Sequence, residues 1–490
     1  MNTGLTGLQG RLSPQDAVFY YLETDQAPMT IGSIALFEGH VPFRRFVQNI
    51  ESKMHQIPRY MQRAVETPFN FARPTWEFDP DFDVRRHISR VTLPAPGTDE
   101  QLNELAERLF RGRLDRSHPL WDMHFVEGLQ GGRTGLVSRV HHCLVDGVGG
   151  VELLMVTLDP TPETRAPTHV LHESPPAPVS GATRVIDGVA DIASEALDQG
   201  ASILRWLTDA LTGDFASTRV GMRALDTTLK FLNEPCEKLP FNRDFSGGRK
   251  IAHAEISFVE VRAIRRALGG TVNDVVLAVL AGALTRYAEY HGQPADGQTA
   301  RVMTPVNVRT ETERGMLGNR ISMLSLDVPL GGHTPPQRLQ TIHESTTALK
   351  EGQVAQGVAA IGQVLGALPP PALIAMGSAL TMNNGLGNIV CTNVPGPMIP
   401  LYTVGHRMLA HYPIMPIAWN MGIGCAVMSY DQRLFVTFVA DAAAAPDVSV
   451  FARFMEESFE ELRTAAGVPP AEEEIGAERA PGSDVTALVA

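Results

Sequence analysis

Two kinds of hydrophobic periodicity alternate along this chain and predict an α/β protein. In the clearest strand, at 136–142, successive side chains point to opposite faces of a sheet, which separates His141 from His142. Further strands are predicted at 31–37, 123–128, 250–258, 301–308, 321–328, 388–392, 421–430 and 433–440. Helices are predicted at 13–22, 43–54, 99–111, 149–158, 183–211, 261–268, 271–290, 336–351, 355–376 and 446–465. Residues 76–83 are predicted to form a loop or an edge segment.

The distribution of proline divides this pattern into two halves. Six prolines fall between Pro160 and Pro178, a density that neither helices nor sheets tolerate. We therefore predict an N-terminal domain at 1–159, a proline-rich and helical crossover linker at 160–240, a C-terminal domain at 241–467 and an acidic, disordered tail at 468–490. The long linker helix has an acidic polar face, which favours packing against the protein over a place on a membrane surface.

Composition narrows the class of protein. The chain has 490 residues, of which 44% are hydrophobic and 19% charged, as expected for a globular protein of more than one domain. Its net charge of -13 argues against a nucleic-acid partner. The four cysteines show no CxxC spacing, so we predict neither a zinc site nor a disulfide framework and favour the reducing cytoplasm. Without a secretory signal pattern or a run of about 18 apolar residues, membrane contact is predicted to be peripheral.

The stretch from Val140 to Gly147 carries the most distinctive polar side chains of the chain. Because His141 and His142 point to opposite faces of a strand, they do not form one metal site, and no third ligand stands at a recognised spacing. The sequence contains neither the Gly-x-Ser-x-Gly elbow of serine hydrolases nor a glycine-rich nucleotide loop. We therefore predict no metal, no cofactor and a single catalytic histidine.

One histidine is sufficient to transfer an acyl group from a thioester to an alcohol. Imidazole titrates near neutrality and can remove the hydroxyl proton, while a thiolate, with a pKa of about 8.5, is a good leaving group. Although most isolated histidines are structural, His142 stands at a strand end before a turn and a helix, where catalytic side chains are commonly placed. We predict that His142 is the general base, that His141 has a supporting or packing role, and that Asp146 braces the loop. Gly147 supplies either backbone freedom or a close approach that a side chain would block.

His141-His142-Cys143-Leu144-Val145-Asp146-Gly147 resembles the HHxxxDG motif of the wax ester synthase/acyl-CoA:diacylglycerol acyltransferase family, in the CoA-dependent acyltransferase superfamily. The motif also occurs in peptide-synthetase condensation domains, but further blocks resemble this family in the expected order. They are Leu12 to Asp16, Asp79 to Asp83 with His87, Pro119 to Trp121, Val126 to Leu129, Asn273 to Ala278, and Asn393 to Pro397. The likeness spans residues 11–465. Cys143 stands where alanine is common in the family, and Thr30 stands where histidine is common.

The resemblance implies an α/β fold of two chloramphenicol-acetyltransferase-like domains, with mixed sheets flanked by helices and an active-site channel at their interface. It also implies that His142 is the catalytic base, that Asp146 is mainly structural, and that acyl-CoA is a substrate. We expect a long-chain fatty acyl group to be transferred to diacylglycerol, with a long-chain alcohol as a second acceptor. The expected location is the cytoplasm, with peripheral contact to the inner membrane or to lipid droplets.

Several alternatives stay open at this point. The acceptor could be another alcohol or an amine, as in polyketide or condensation-domain chemistry, and the chain could be a non-catalytic lipid-binding protein of the same fold. Asn273 and Asp274 either cap the helix that follows or contact substrate, with capping favoured. Four arginines either bind the phosphates of CoA or form ordinary ion pairs. They are Arg301, Arg309, Arg314 and Arg320.

Overall fold

The computed structural model describes residues 10–70, 72–145, 147–163, 180–181, 183–190, 236–307, 321–351, 387–418 and 420–471. Its strands are β1 (Gly10–Arg11), β2 (Thr30–Phe37), β3 (Gln62–Val65), β4 (Thr75–Phe78), β5 (Ile88–Thr92), β6 (Trp121–Glu127), β7 (Thr134–His141), β8 (Arg249–Ser257), β9 (Gln298–Asn307), β10 (Ile321–Leu330), β11 (Ile389–Val394), β12 (Tyr402–Thr403), β13 (His406–Ile414), β14 (Ile423–Tyr430) and β15 (Arg433–Asp441). Its α-helices are α1 (Pro14–Leu22), α2 (Phe43–Lys53), α3 (Val84–His87), α4 (Asp99–Leu109), α5 (Gly147–Thr157), α6 (Phe258–Leu268), α7 (Val272–Tyr290), α8 (Pro335–Glu351) and α9 (Val448–Ala465). Residues 183–190 are also helical, whereas the predicted helix at 355–376 and the rest of the one at 183–211 lie outside the described residues, as does the tail beyond residue 471.

Several helices begin where the sequence supplies a capping side chain. Ser13 Oγ accepts the backbone N–H of Asp16 at 3.1 Å at the start of α1, as its position before a proline predicts. At the start of α4, Thr98 and Gln101 form a reciprocal capping box. Thr271 begins α7 in the same way. Local capping side chains therefore fix where these three helices begin.

The first mixed sheet has the strand order β12-β13-β2-β7-β6-β5. Strands β5 and β6 run parallel, and the other pairs in this sheet are antiparallel. β7 lies between β2 and β6, so its end is held from both sides. Apolar side chains fill the layer between the sheet and its helices, as in Phe46 of α2 and Phe125 of β6, whose ring centroids lie 5.2 Å apart.

A strand from far along the chain completes this first sheet. β13 lies within the predicted C-terminal domain, yet it pairs antiparallel with β2 and places Ile414 opposite Gly32. No strand is predicted here from the sequence, because His406 and Arg407 begin the segment and Pro413 interrupts its end. The two halves of the chain are therefore joined by a shared sheet as well as by the linker.

The second mixed sheet has the strand order β10-β9-β11-β14-β15-β8. β14 and β15 form the predicted hairpin, and its turn residues Asp431 and Gln432 have φ values of 43° and 64°, as a two-residue hairpin turn requires. The apolar helix α7 packs in the core of this half, where Leu280 is fully buried. Within the described ranges no single helix is both long enough and apolar enough to cross a bilayer. Helices α6 and α7 meet these two conditions only when taken together, and the pair is bent by 98°.

The predicted loop or edge segment at 76–83 is wrong in its first part. Residues Thr75–Phe78 form β4, the central strand of a small sheet with the order β1-β4-β3. Trp76 is buried within it, and the guanidinium of Arg59 lies 4.8 Å from the centroid of the indole ring. Pro74 and Pro80 flank a strand of only four residues, which is too short for alternation to be recognised.

Polar contacts between α4 and β8 connect the two halves of the protein. Glu107 accepts the backbone N–H of Ile251 at 3.0 Å. The ring nitrogens of His253 lie 3.0 Å from Asn103 Oδ1 and 3.1 Å from Thr437 Oγ1. Burial lowers the pKa of His253 to about 3, so this histidine is neutral in the folded protein.

We expect acid to destabilise the fold through His253 and His411. Burial lowers their pKa values from the usual 6.5 to about 3 and about 4. Below pH 6.5 the unfolded chain binds protons that the folded chain does not, so each histidine should lower the free energy of unfolding by up to about 1.4 kcal/mol per pH unit. The loss is absent above pH 6.5, grows as the pH falls, and levels off near each folded-state pKa.

Urea unfolding between pH 7.5 and pH 5 measures this acid sensitivity. His253→Gln should lose less stability on acidification than the wild type. His55 lies exposed on the surface, so His55→Gln is the matched control and should keep the wild-type slope. If the free energy of unfolding of His253→Gln changed with pH as steeply as that of the wild type, His253 would not be a source of the acid sensitivity.

Candidate active site

Two adjacent histidines lie at the C-terminal end of β7, in the interior of the first sheet, and their surroundings differ. His141 is the last residue of β7, lies opposite Thr30 of β2 and is 1% exposed. His142 follows, is half-buried, and donates its backbone N–H to the carbonyl of Met29 at 2.8 Å. The pairing of β7 with β2 therefore fixes the backbone on which both histidines stand.

The ring of His141 is oriented by its own turn. Its Nδ1 accepts the backbone N–H of Cys143 at 3.1 Å. Because Nδ1 must present a lone pair to that donor, the proton of the neutral ring lies on Nε2. Nε2 faces Glu23, with 3.5 Å between Nε2 and Oε1, which is a long contact rather than a full hydrogen bond. His141 therefore serves the turn and is not available to a substrate.

Glu23, directly after α1, is a buried carboxylate beside this turn. Its side chain is 0% exposed, and Arg116 Nη2 donates to Oε2 at 3.0 Å. Burial by itself raises the pKa of Glu23, but the interactions with His141 and Arg116 outweigh burial and hold the net pKa below the usual 4.5. The carboxylate is therefore ionised inside the protein.

The imidazole of His142 stacks face to face on Phe19 of α1. The ring centroids lie 3.9 Å apart and the ring planes differ by 2°. This stack restricts rotation of the imidazole. An aromatic face also attracts a cation by about 0.5–1 kcal/mol or more, so the contact favours the imidazolium that forms when His142 takes up a proton. The stack therefore holds the imidazole of His142 in one orientation.

Cys143 stands next to His142 but is not a suitable nucleophile. The residue is 1% exposed and lies within the hydrophobic core of the first half. Burial raises the pKa of its thiol well above the usual 9.0. Since the thiolate is the reactive form of cysteine, this side chain is inert near neutral pH.

Two models of one protein family match most of the chain. The family model for the wax ester synthase/diacylglycerol acyltransferase catalytic domain matches residues 12–276, and the model for the C-terminal domain of the same family matches residues 317–463. The chain belongs to the wax ester synthase/diacylglycerol acyltransferase family. It is therefore an acyltransferase.

Two relatives in Mycobacterium tuberculosis are named as probable diacylglycerol O-acyltransferases. One is 29% identical over 439 residues, which cover 89% of this chain and 91% of the relative. The other is 28% identical over 479 residues, which cover 93% of this chain and 99% of the relative. The similarity therefore extends through both halves of this family member.

Solved structures confirm the predicted fold of two chloramphenicol-acetyltransferase-like domains. The wax ester synthase/diacylglycerol acyltransferase from Marinobacter aquaeolei is 23% identical, with a TM-score of 0.65 over 94% of this chain and 100% of that one. The first condensation domain of the calcium-dependent antibiotic synthetase, in complex with a substrate analogue, is 16% identical, with a TM-score of 0.61 over 94% and 97% of the two chains.

Not every residue predicted for the site of this acyltransferase can be placed. Asp146 and Arg309 lie outside the described residues, as do Arg314 and Arg320. Gly147 is the first residue of α5, so this helix begins two residues before its predicted start at residue 149. Arg301 on β9 forms an ion pair with Asp327 at 3.0 Å, which is the ion-pair alternative of the sequence analysis.

Asn273 and Asp274 lie at the start of α7, in the other half of this acyltransferase from His142. Asp274 is fully buried and accepts the backbone N–H of Thr271 at 2.8 Å. Its carboxylate also lies 2.9 Å from His343 Nδ1 and accepts the hydroxyl of Thr346 at 2.8 Å. These contacts are those of a capping residue inside the core. Asn273 is only half-buried and can still reach solvent or a ligand.

Sequence reasoning missed three residues that surround the motif of this acyltransferase, namely Phe19, Glu23 and Arg116. Phe19 lies in the predicted helix and Glu23 just after it, but nothing in the local sequence shows that this helix packs against the end of β7. Arg116 lies in the loop after α4 and carries no periodic signal.

One surface pocket of this family member, of about 420 Å³, lies away from the motif histidines in the second half of the chain. Its lining consists of Lys238, Leu239, Pro240, Asn242, Arg243, Asp244 and Gln293. The predicted channel that reaches His142 stays a prediction. Among the described residues, no three histidine, cysteine or carboxylate side chains come together as a set of metal ligands.

Proposed function

We propose that this acyltransferase moves a long-chain fatty acyl group from acyl-CoA to the hydroxyl of diacylglycerol, with His142 as the general base. The observation that carries the proposal is the half-buried imidazole of His142, stacked at 3.9 Å on Phe19 at the end of β7. His141, by contrast, is occupied by its turn and by Glu23. A base must be held in position and yet be reachable, and His142 meets both conditions.

In the proposed reaction, His142 removes the proton of the acceptor hydroxyl as that oxygen bonds to the thioester carbonyl carbon. The resulting tetrahedral intermediate carries its negative charge on the former carbonyl oxygen, while the imidazolium of His142 rests on Phe19. When the intermediate collapses, the carbon–sulfur bond breaks and the imidazolium returns the proton to the departing sulfur. The products are the ester and CoA thiol, and His142 is neutral again.

The proposed transfer is direct, without an acyl-enzyme. The adjacent Cys143 is buried with its pKa raised, so it does not offer a thiolate to the thioester. A general base alone meets the chemical need, because a thiolate leaves far more readily than an alkoxide. Both substrates must therefore be bound at the same time.

Diacylglycerol is the preferred acceptor in this proposal because the relatives in Mycobacterium tuberculosis carry that activity in their names. A long-chain alcohol is the second acceptor, as the name of the Marinobacter aquaeolei enzyme suggests. Both acceptors are insoluble in water, which supports peripheral contact of the protein with the inner membrane or lipid droplets; a cytoplasmic location is part of the same proposal. An amine acceptor is the remaining candidate, since a condensation domain shares the fold.

A panel of acceptors tests this assignment. Purified protein with palmitoyl-CoA should release CoA thiol fastest with dioleoylglycerol, more slowly with hexadecanol, and at the background rate with hexadecylamine. Chromatography of the lipid products identifies the ester that forms. CoA release that is fastest with the amine, with amide as the product, would overturn the proposed acceptor.

A further inference from the structure

The carboxylate of Glu23 is connected to both motif histidines. Its Oε1 lies 3.5 Å from Nε2 of His141 and also accepts the backbone N–H of Met29 at 3.1 Å. The carbonyl of the same Met29 accepts the backbone N–H of His142 at 2.8 Å. The Glu23 side chain therefore contacts His141 directly and is connected to His142 through the backbone of Met29.

Arg116 and Tyr20 hold this carboxylate from the other side. Arg116 donates to Glu23 Oε2 at 3.0 Å and to the carbonyl of Tyr20 at 2.7 Å, and its guanidinium lies 3.9 Å from the centroid of the Tyr20 ring. The Tyr20 hydroxyl in turn donates to Glu66 at 3.0 Å. Because the Glu23 side chain is fully buried, it has little freedom to leave this position.

The hydrogen bond from Cys143 to His141 makes the tautomer of His141 important. Nδ1 can accept the Cys143 N–H only while the ring proton lies on Nε2. An ionised carboxylate that faces Nε2 favours this tautomer, since it attracts the N–H and repels a lone pair. A neutral amide in its place could offer an N–H to Nε2, which would favour the opposite tautomer and remove the acceptor for Cys143.

We propose that Glu23 is a positioning residue for acyl transfer. It fixes the Nε2–H tautomer of His141 and the Met29 peptide, and through these it sets the position of His142 against Phe19. The inference rests on the proposed role of His142 as the base. Small displacements of a reacting group are costly, and a shift of about 1 Å can reduce the rate about 100-fold.

Steady-state kinetics of Glu23→Gln test this role. We expect kcat to fall about 10- to 100-fold, with the KM for acyl-CoA within about twofold of the wild type, because Glu23 is buried and does not bind substrate. Glu23→Asp keeps the charge and should recover part of kcat. The matched control is Glu127→Gln, because Glu127 is also a buried carboxylate paired with an arginine, Arg90, but lies at the opposite end of β6 from the motif histidines. It should keep wild-type kcat.

The nitrogen chemical shifts of ¹⁵N-histidine-labelled protein report the tautomer separately from activity. His141 should show the Nε2–H pattern in the wild type and in Glu127→Gln, and should lose it in Glu23→Gln. Wild-type kcat in Glu23→Gln, an equal loss of kcat in Glu127→Gln, or an unchanged His141 tautomer would each overturn the proposal. His142→Ala, assayed alongside, decides the assignment of the base; if it stays active, the tautomer of His141 still decides the role of Glu23.

Discussion

Replacement of His142 by alanine should lower kcat for acyl transfer by about 10²- to 10⁴-fold, the usual contribution of a general base. The ring is half-buried and contacts Phe19, so its loss should change the melting temperature much less than it changes the rate. The measurement is the release of CoA thiol from palmitoyl-CoA with dioleoylglycerol, together with thermal unfolding of both proteins.

His55→Ala is the control for this variant, because His55 is exposed on the surface after α2. It should keep the wild-type rate. If His142→Ala retained activity within threefold of the wild type while remaining folded, another group would have to remove the hydroxyl proton, and the assignment of the base would be wrong.

Replacement of Asp274 by alanine should destabilise the protein by about 3 kcal/mol without a matching loss of acyl-CoA binding. The carboxylate caps α7, and loss of a cap costs about 0.5–2 kcal/mol. It also accepts the hydroxyl of Thr346 in the core, and a buried donor left unpaired costs about 1–3 kcal/mol. Urea unfolding measures the stability, and the KM for acyl-CoA of the folded protein measures binding.

The neighbouring Asn273 offers the matched control. It is half-buried, and its contact with Asn393 is long, at 3.4 Å, so Asn273→Ala should cost less than about 1 kcal/mol. A large increase in KM for Asp274→Ala at unchanged stability would instead place that carboxylate at the substrate.

Local patterns in the sequence predict local structure well and long-range pairing poorly. Alternation predicts β7, and the sequence predicts α7 to begin at residue 271. The pairing of β13 with β2 cannot be predicted from hydrophobic periodicity, because Ile414 and Gly32 are separated by most of the chain. His406, Arg407 and Pro413 also interrupt the apolar alternation by which β13 could be recognised as a strand.

The same distinction applies to the site. His142 can be selected from the sequence because a strand end, a turn and a helix surround it. Its partner Phe19 and the neighbouring Glu23 cannot be assigned in the same way, since nothing local shows that α1 packs against the end of β7. Burial also favours a capping role for Asp274, which the sequence leaves open between capping a helix and contacting a substrate.

The central claim is that the acyl group passes directly from CoA to the acceptor, with His142 moving the proton. Rapid mixing of the protein with palmitoyl-CoA in the absence of an acceptor, followed by intact-protein mass measurement, tests it most directly. Direct transfer predicts no burst of CoA thiol and an unchanged protein mass until dioleoylglycerol is added. A burst equal to the enzyme concentration, with a protein mass increased by one acyl group, would contradict the account.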